Sequence, residues 1–241
     1  MKDAGASRDD FRGATYVGAL PWLEAPRFPN REQAGKRLAE ALSEYEDGSN
    51  VLVLALPRGG VPVGAEVAHA LGAPLDLMLV RKLGVPGHEE LAMGAVATGG
   101  VRVLNDDVVG ALGLHEEAIE AVARRERREL ERRDHAYREG RPAPEVAGRT
   151  VILVDDGLAT GATMRAAVAA LKKRNPRRIV VAVPVAPKET CEVLRSEADE
   201  VACLSAPDPF MAIGVWYEEF PQLTDDEVRE LLGRAWERVE A

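Results

Sequence analysis

Apolar residues gather along this chain in short unbroken runs, with amphipathic segments between them. Val51-Leu52-Val53-Leu54-Ala55-Leu56, Leu75-Asp76-Leu77-Met78-Leu79-Val80, Val151-Ile152-Leu153-Val154, Ile179-Val180-Val181-Ala182-Val183-Pro184-Val185 and Val201-Ala202-Cys203-Leu204 form this series. Most lack the polar alternation of a half-exposed strand and read as strands buried on both faces. A helix from Arg31 precedes the first run, with Gln33, Leu38, Leu42 and Tyr45 on or near one face and a stop at Asp47-Gly48. A helical stretch through Glu66-Val67-Ala68-His69-Ala70-Leu71 follows that run. Another opens at Ala162, with Met164, Ala167, Val168 and Leu171 on one side and Lys172, Lys173 and Arg174 before Asn175-Pro176. Val193-Leu194 falls in the helix leading to the last run. Strand then helix, repeated, predicts an α/β fold with a doubly wound, mostly parallel sheet flanked by helices.

Three stretches break this rhythm. Residues 1–26 mix Gly, Pro and charge without period and read as an N-terminal extension to a single domain over 27–241. Between His115 and Arg141, eight arginines are matched by eight acids, so this is no basic patch. Glu120/Arg124 and Glu129/Arg133 have i,i+4 spacing, and Ile119, Val122 and Leu130 form a thin apolar stripe, which predicts a long, mostly solvated helix. The stripe has two possible partners, the chain's own core or another subunit. The segment after the last strand collects aromatics in Pro207-Asp208-Pro209-Phe210 and Val215-Trp216-Tyr217-Glu218-Glu219-Phe220.

Candidate chemistry sits where buried strands emerge. Asp155 and Asp156 directly follow the run 151–154, at a carboxyl edge, where open α/β sheets bind ligands. Gly157 and Gly161 permit a tight loop, Thr160 and Thr163 add hydroxyl donors, and the following helix offers free N–H groups and a favourable dipole to an anion. Carboxylates repel phosphate but accept hydrogen bonds from vicinal hydroxyls, so acid pair plus loop suits a ribose 5-phosphate. Upstream, the run 51–56 ends in Pro57-Arg58-Gly59-Gly60, which can offer a guanidinium and bare backbone N–H groups to phosphate oxygens.

The stretch from Val151 to Thr163 resembles, at every position, the 5-phosphoribosyl 1-diphosphate (PRPP) motif of the type I phosphoribosyltransferases, and the likeness covers roughly residues 31 to 220. It implies that Asp155 and Asp156 anchor the ribose diol and that Gly157, Ala159, Thr160, Gly161, Ala162 and Thr163 hold the 5-phosphate. It further implies that Arg58, Gly59 and Gly60 form the pyrophosphate loop. Arg81-Lys82 resembles the basic pair that opens a mobile lid in adenine and orotate enzymes. Gly84, Pro86 and Gly87 then predict little regular structure there. Hypoxanthine-guanine enzymes carry an acid where this chain has Ala159. The run is more similar to the adenine-type variant, in which a lid glutamate serves, and Glu89 or Glu90 takes that place. By the same resemblance, 105–147 is a helical insertion and 205–241 includes a small hood that receives the base, with Trp216 and Tyr217 as candidate stacking faces, although such a pair more often serves core or interface packing. Mg²⁺, bound chiefly through PRPP or pyrophosphate, is the implied cofactor. PRPP and a nitrogenous acceptor are the implied substrates, and a homodimer is a possible assembly. The reaction implied is displacement of pyrophosphate from C1 of PRPP. The alternative is a PRPP-binding regulator without catalysis.

Composition narrows the classes. The 241 residues, 46% hydrophobic and 29% charged, suit one sizeable core. A formal net charge of −9 argues against general nucleic-acid binding. No apolar run approaches the ~18 residues of a membrane span, and no basic-then-apolar leader opens the chain. Cys191 and Cys203 lack CxxC spacing, and the four histidines lack metal-ligand spacing, so no protein-held metal site is expected. A cytoplasmic home is the resulting expectation.

Overall fold

A computed structural model of the chain describes residues 27–46 and 50–240. The extension expected over 1–26 and the Asp47-Gly48 stop lie outside the described residues. In chain order the elements are α1 (Arg31–Ala41), β1 (Val51–Ala55), α2 (Gly60–Ala70), β2 (Leu75–Leu77), β3 (Val80–Val85), β4 (His88–Ala97) and β5 (Val101–Leu104). There follow α3 (Asp106–Ala111), α4 (Glu116–Arg138), β6 (Thr150–Val154), α5 (Ala162–Lys172), β7 (Arg178–Val185), α6 (Lys188–Glu197), β8 (Glu200–Ser205) and α7 (Asp225–Glu240).

The main sheet has five strands in the order β2-β1-β6-β7-β8, all parallel. Its strands are apolar on both faces because each face is covered. Val53, Ala55, Ile152, Val154, Val180 and Ala182 join α1, α2 and α7 in one core. Leu52, Leu54, Val151, Leu153, Val181 and Val183 join α5 and α6 in the other. From β1 the chain crosses outward to β2, whereas from β6 it crosses the opposite way to β7. The β1/β6 boundary is therefore the topological switch point, where a crevice opens beyond the strand ends. Both motif loops leave from this boundary.

The expected strand over 75–80 and the irregular lid after it are replaced by something more regular. β2 stops at Leu77, and the chain enters a separate antiparallel sheet in the order β3-β4-β5. Arg81 and Lys82 stand on β3, Glu89 and Glu90 on β4, and Pro86-Gly87 makes the hairpin turn between them. The reason lies in the pairing of Leu83 and Val85, both buried, with β4, which gives the hairpin an apolar face that packs under α4. Glycines at 84 and 87 punctuate the hairpin, with a register shift at Gly84.

Helix α4 is less solvated than its charge suggests. Ile119, Val122, Ala123, Leu130 and Tyr137 are buried in the same core as β3, β4 and α7, so the thin stripe packs on the chain's own body. Its last turn buries a charge too: Arg138, 1% exposed, donates to Asp76 Oδ1 at 2.8 Å and Leu77 O at 3.0 Å and pairs with Asp134. That fixes the helix against the end of β2. A capping box, in which Thr224 and Glu227 exchange hydrogen bonds, sets the start of α7 and so the position of Asp225.

Candidate functional site

Register brings the two motif loops together. Ala55 lies opposite Val154, and Leu56 N–H donates to Val154 O at 2.9 Å, so 57–60 and 155–161 leave the sheet side by side. Contact between them is close enough to demand glycine. A Cβ on Gly59 would stand 2.0 Å from Asp156 Oδ2, and one on Gly60 would stand 2.7 Å from Val154 O and 2.9 Å from Asp155 Cα. The Gly-Gly pair thus serves loop packing onto the acids as well as baring N–H groups.

The two acids are not equivalent. Asp156 is buried, and its Oδ2 accepts from Arg31 Nε at 2.8 Å, while Tyr217 OH donates to its carbonyl at 2.6 Å. Asp155 is half-buried, and its Oδ1 accepts from the Asp156 N–H at 2.9 Å. Burial, reinforced by the neighbouring charge of Asp156, pushes the Asp155 carboxyl well above the ordinary range. Burial raises Asp156 as well, but there the Arg31 guanidinium opposes it directly. Asp155 is accordingly the member whose carboxyl is the more strongly raised, because no guanidinium bonds it as Arg31 bonds Asp156.

Beyond the acids the loop is pinned from outside. Leu158 N–H donates to Val185 O at 2.9 Å, and Thr190 Oγ1 donates to Ala159 O at 2.8 Å. Gly161 has φ +69 at the N-cap of α5, and a Cβ there would meet Thr190 Cγ2 at 2.7 Å. The N-cap Gly161 offers no side chain, and only a long 3.4 Å contact from Ala162 N–H to Thr160 Oγ1 reaches the first turn, so that turn, with exposed Thr160, Ala162 and Thr163, can still meet an anion.

Arg58, Arg81 and Thr163 line one cleft of about 470 Å³, together with Arg132, Arg133 and Tyr137 of α4 and Asp225 of α7. Arg81 is held within it by Glu126, whose Oε2 accepts from Nε at 2.8 Å and Nη2 at 2.5 Å. Burial works against the Glu126 charge, yet hydrogen bonds from Arg81 and Arg125 hold its pKa below the ordinary value. Lys82 and Glu89 are not brought to this cleft. They line a neighbouring one with Glu90 and Arg125, which Arg81 also borders, and there Lys82 Nζ approaches Glu90 O at 3.2 Å. The hairpin that replaces the irregular lid explains the split, since consecutive residues of a strand point to opposite faces.

Trp216 and Tyr217 are no open stacking platform. They are 4% and 3% exposed and sit in a small core with Phe28, Ala34 and Val185, with Phe210 beside Trp216 and Phe220 beside Tyr217. A parallel bridge between Phe28 and Tyr217 ties this segment to the start of the described chain. The open surface lies next to it: Phe210, Lys188 and Pro187 border a cleft of about 680 Å³ that reaches Ala159 of the loop between β6 and α5. Sequence reading missed Arg31, Lys188 and Arg132/Arg133 as neighbours of the site. A Pro-Lys immediately after the buried strand β7 was the available signal for Lys188. Arg31, 125 residues from its carboxylate partner, left none.

The chain matches the model of the phosphoribosyl transferase domain over residues 22–219. Two Mycobacterium tuberculosis proteins (strains CDC 1551 / Oshkosh and H37Rv), provisionally named phosphoribosyl transferases, are each 48% identical to it over 208 residues, 86% of this chain and 47% of theirs. The chain spans about half the length of these curated relatives. The crystal structure of TT1426 from Thermus thermophilus shares the fold, with a TM-score of 0.78 at 46% identity over 86% of this chain and 97% of that one.

Proposed function

The chain belongs to the phosphoribosyl transferase family, and we propose that it transfers ribose 5-phosphate from PRPP to a nitrogenous acceptor with release of pyrophosphate. The observation that carries this reading is the convergence, at one switch point, of the Asp155–Asp156 pair, the N-terminus of α5 and a cleft lined by Arg58 and Arg81. These meet three separate requirements of one substrate: a diol, a monophosphate and a pyrophosphate.

Asp155 binds the ribose hydroxyls and places its carboxyl beside C1, where positive charge develops as the C1–oxygen bond breaks. Asp156 positions it, through the backbone N–H to Asp155 Oδ1, and is itself held by Arg31. The loop from Thr160 to Thr163 fixes the 5-phosphate, so that binding energy remote from C1 orients the sugar for attack. Arg58 and the N–H groups of Gly59 and Gly60 stabilise the departing pyrophosphate. Arg81 joins them from β3. Phe210 and Lys188 provide the acceptor with an aromatic surface and a cation near Ala159.

Among the described residues no group of three metal-ligating side chains converges. The Mg²⁺ of this reading is one carried in on the oxygens of pyrophosphate, with water completing its shell. Bound so, it would neutralise leaving-group charge. Among the described residues no helix is long and apolar enough to cross a membrane.

The test is PRPP- and Mg²⁺-dependent pyrophosphate release across a panel of purines, pyrimidines and small amines, with products identified by mass. Release that requires one acceptor, with its ribonucleotide formed, supports the transferase and names the acceptor. PRPP binding without release under any acceptor overturns it in favour of a regulator.

A further inference from the structure

Helix α4 approaches the cleft with a pair of arginines that the PRPP motifs do not account for. Arg132 donates to Glu129 Oε2 from Nε and to Oε1 from Nη2, each at 2.9 Å, and Arg133 Nε donates to the same Oε1 at 2.9 Å. One carboxylate therefore serves two guanidiniums, and the trio keeps a net positive charge. The i−3 and i−4 positions of Glu129 put all three on one side of the helix. Both arginines remain well exposed, at 67% and 50% of their side chains, and both line the same cleft as Arg58 and Arg81.

Four guanidiniums line about 470 Å³, and Glu126 on Arg81, Glu129 on Arg132 and Arg133, and Asp225 beside Arg58 offset all but one of their charges, which leaves a net positive cleft for an anion. A single phosphate at the helix N-terminus of α5 does not need that many. A pyrophosphate with several ionised oxygens does. Of the β3 basic pair only Arg81 reaches this cleft, already paired with Glu126, while Lys82 faces Glu90, so further charge for a pyrophosphate has to come from α4.

We propose that Arg132 and Arg133, on a helix packed against β3 and β4, are pyrophosphate-binding residues that take the place of a basic lid. The proposal rests on the reading of this cleft as the pyrophosphate side of a PRPP site. It differs from a lid in being built in advance: Ile119, Leu130 and Arg138 hold α4 in the core whether or not ligand is present.

The experiment is isothermal titration of the full chain with Mg²⁺-pyrophosphate and, separately, with ribose 5-phosphate. R132Q/R133Q is expected to weaken pyrophosphate about tenfold or more, the size of one or two charge-assisted hydrogen bonds, and to leave ribose 5-phosphate within about twofold. R124Q/R128Q removes the same charge from exposed positions of α4 outside the cleft and is expected to leave both affinities within about twofold. Unchanged pyrophosphate affinity in R132Q/R133Q overturns the proposal, as does an equal loss in R124Q/R128Q or a wild-type chain that binds no pyrophosphate. Wild-type binding of pyrophosphate without ribose 5-phosphate, lost in R132Q/R133Q, sustains the α4 site while the PRPP reading falls.

Discussion

Arg31, at the start of α1, reaches across 125 residues of sequence to hold Asp156, with Nε 2.8 Å from Oδ2 and both side chains about nine-tenths buried. Its Nη1 donates to Pro221 O at 2.7 Å, and its guanidinium lies 3.8 Å from the centre of the Phe220 ring. One side chain thus joins the first helix, the acid pair and the segment before α7.

Removing one member of a buried ion pair strands the other charge. Arg31→Ala is expected to lower the unfolding free energy by about 3–5 kcal/mol. Adding Asp156→Asn to it should recover part of that loss, because the stranded charge goes. Denaturant titration of the two variants is the check, and equal stability in both would refute the pairing as the source of the effect.

The Asp155 carboxyl gives the site a pH signature. Burial and the charge of Asp156 raise its pKa in the folded chain, so above the ordinary carboxyl value near 4 the folded state binds a proton that the unfolded state has lost. This contribution to stability is full at acid pH and falls as pH rises through the raised pKa. Asp155→Asn is therefore expected to raise the melting temperature at neutral pH and to flatten its pH dependence. It should also weaken ribose 5-phosphate about tenfold or more by replacing a carboxyl that accepts from the ribose hydroxyls. A melting temperature at pH 7 below that of the wild type would show that ionised Asp155 stabilises the fold instead.

Gly59 tests whether the loops need their closeness. Its added Cβ would lie 2.0 Å from Asp156 Oδ2 and 2.5 Å from Cγ, against a carboxylate that Arg31 prevents from moving aside. Gly59→Ala is expected to cost about 1–3 kcal/mol of stability and to abolish pyrophosphate binding. Gly110→Ala meets nothing within 4 Å in helix α3 and is expected to be neutral or to stabilise by about 0.5–1 kcal/mol. Calorimetric melting and pyrophosphate titration of both variants separate a local clash from a general intolerance of glycine replacement.

The buried strands were legible because a parallel sheet covered on both faces demands long apolar runs, and Val151 to Val154 meets that demand without a polar break. The acid pair and Gly/Thr loop were legible for a related reason: they mark where such a run must end. The hairpin was not. Gly84, Pro86 and Gly87 are as compatible with a turn and a register shift as with an irregular loop, and the burial of Leu83 and Val85 that decides between them comes from α4. Trp216 and Tyr217 take the packing role of such a pair and not the stacking one, and what covers them was hidden for a similar reason, since Phe28, which packs on Tyr217, lies far off in sequence. Side chains whose partners are distant in the chain, Arg31 above all, leave no local pattern to read.

If Arg58 binds pyrophosphate as proposed, Asp225 competes with that ligand for it. Its Oδ1 accepts from Tyr137 OH at 2.5 Å and lies 3.9 Å from Arg58 Nη1, in the cleft proposed for pyrophosphate. Burial and the Asp225 charge push the Tyr137 hydroxyl up to about 12, so it stays a donor throughout the neutral range and keeps the carboxylate in place. Both Arg58 and Asp225 are substantially exposed, which limits their pairing to about 1 kcal/mol or less. Asp225→Asn should therefore tighten Mg²⁺-pyrophosphate by about twofold to fivefold, and the gain should shrink as salt is added. Titration at low and high ionic strength decides the matter. Weaker binding in Asp225→Asn would mean that the carboxylate contributes to holding the ligand, through its metal or through water, instead of standing in for it.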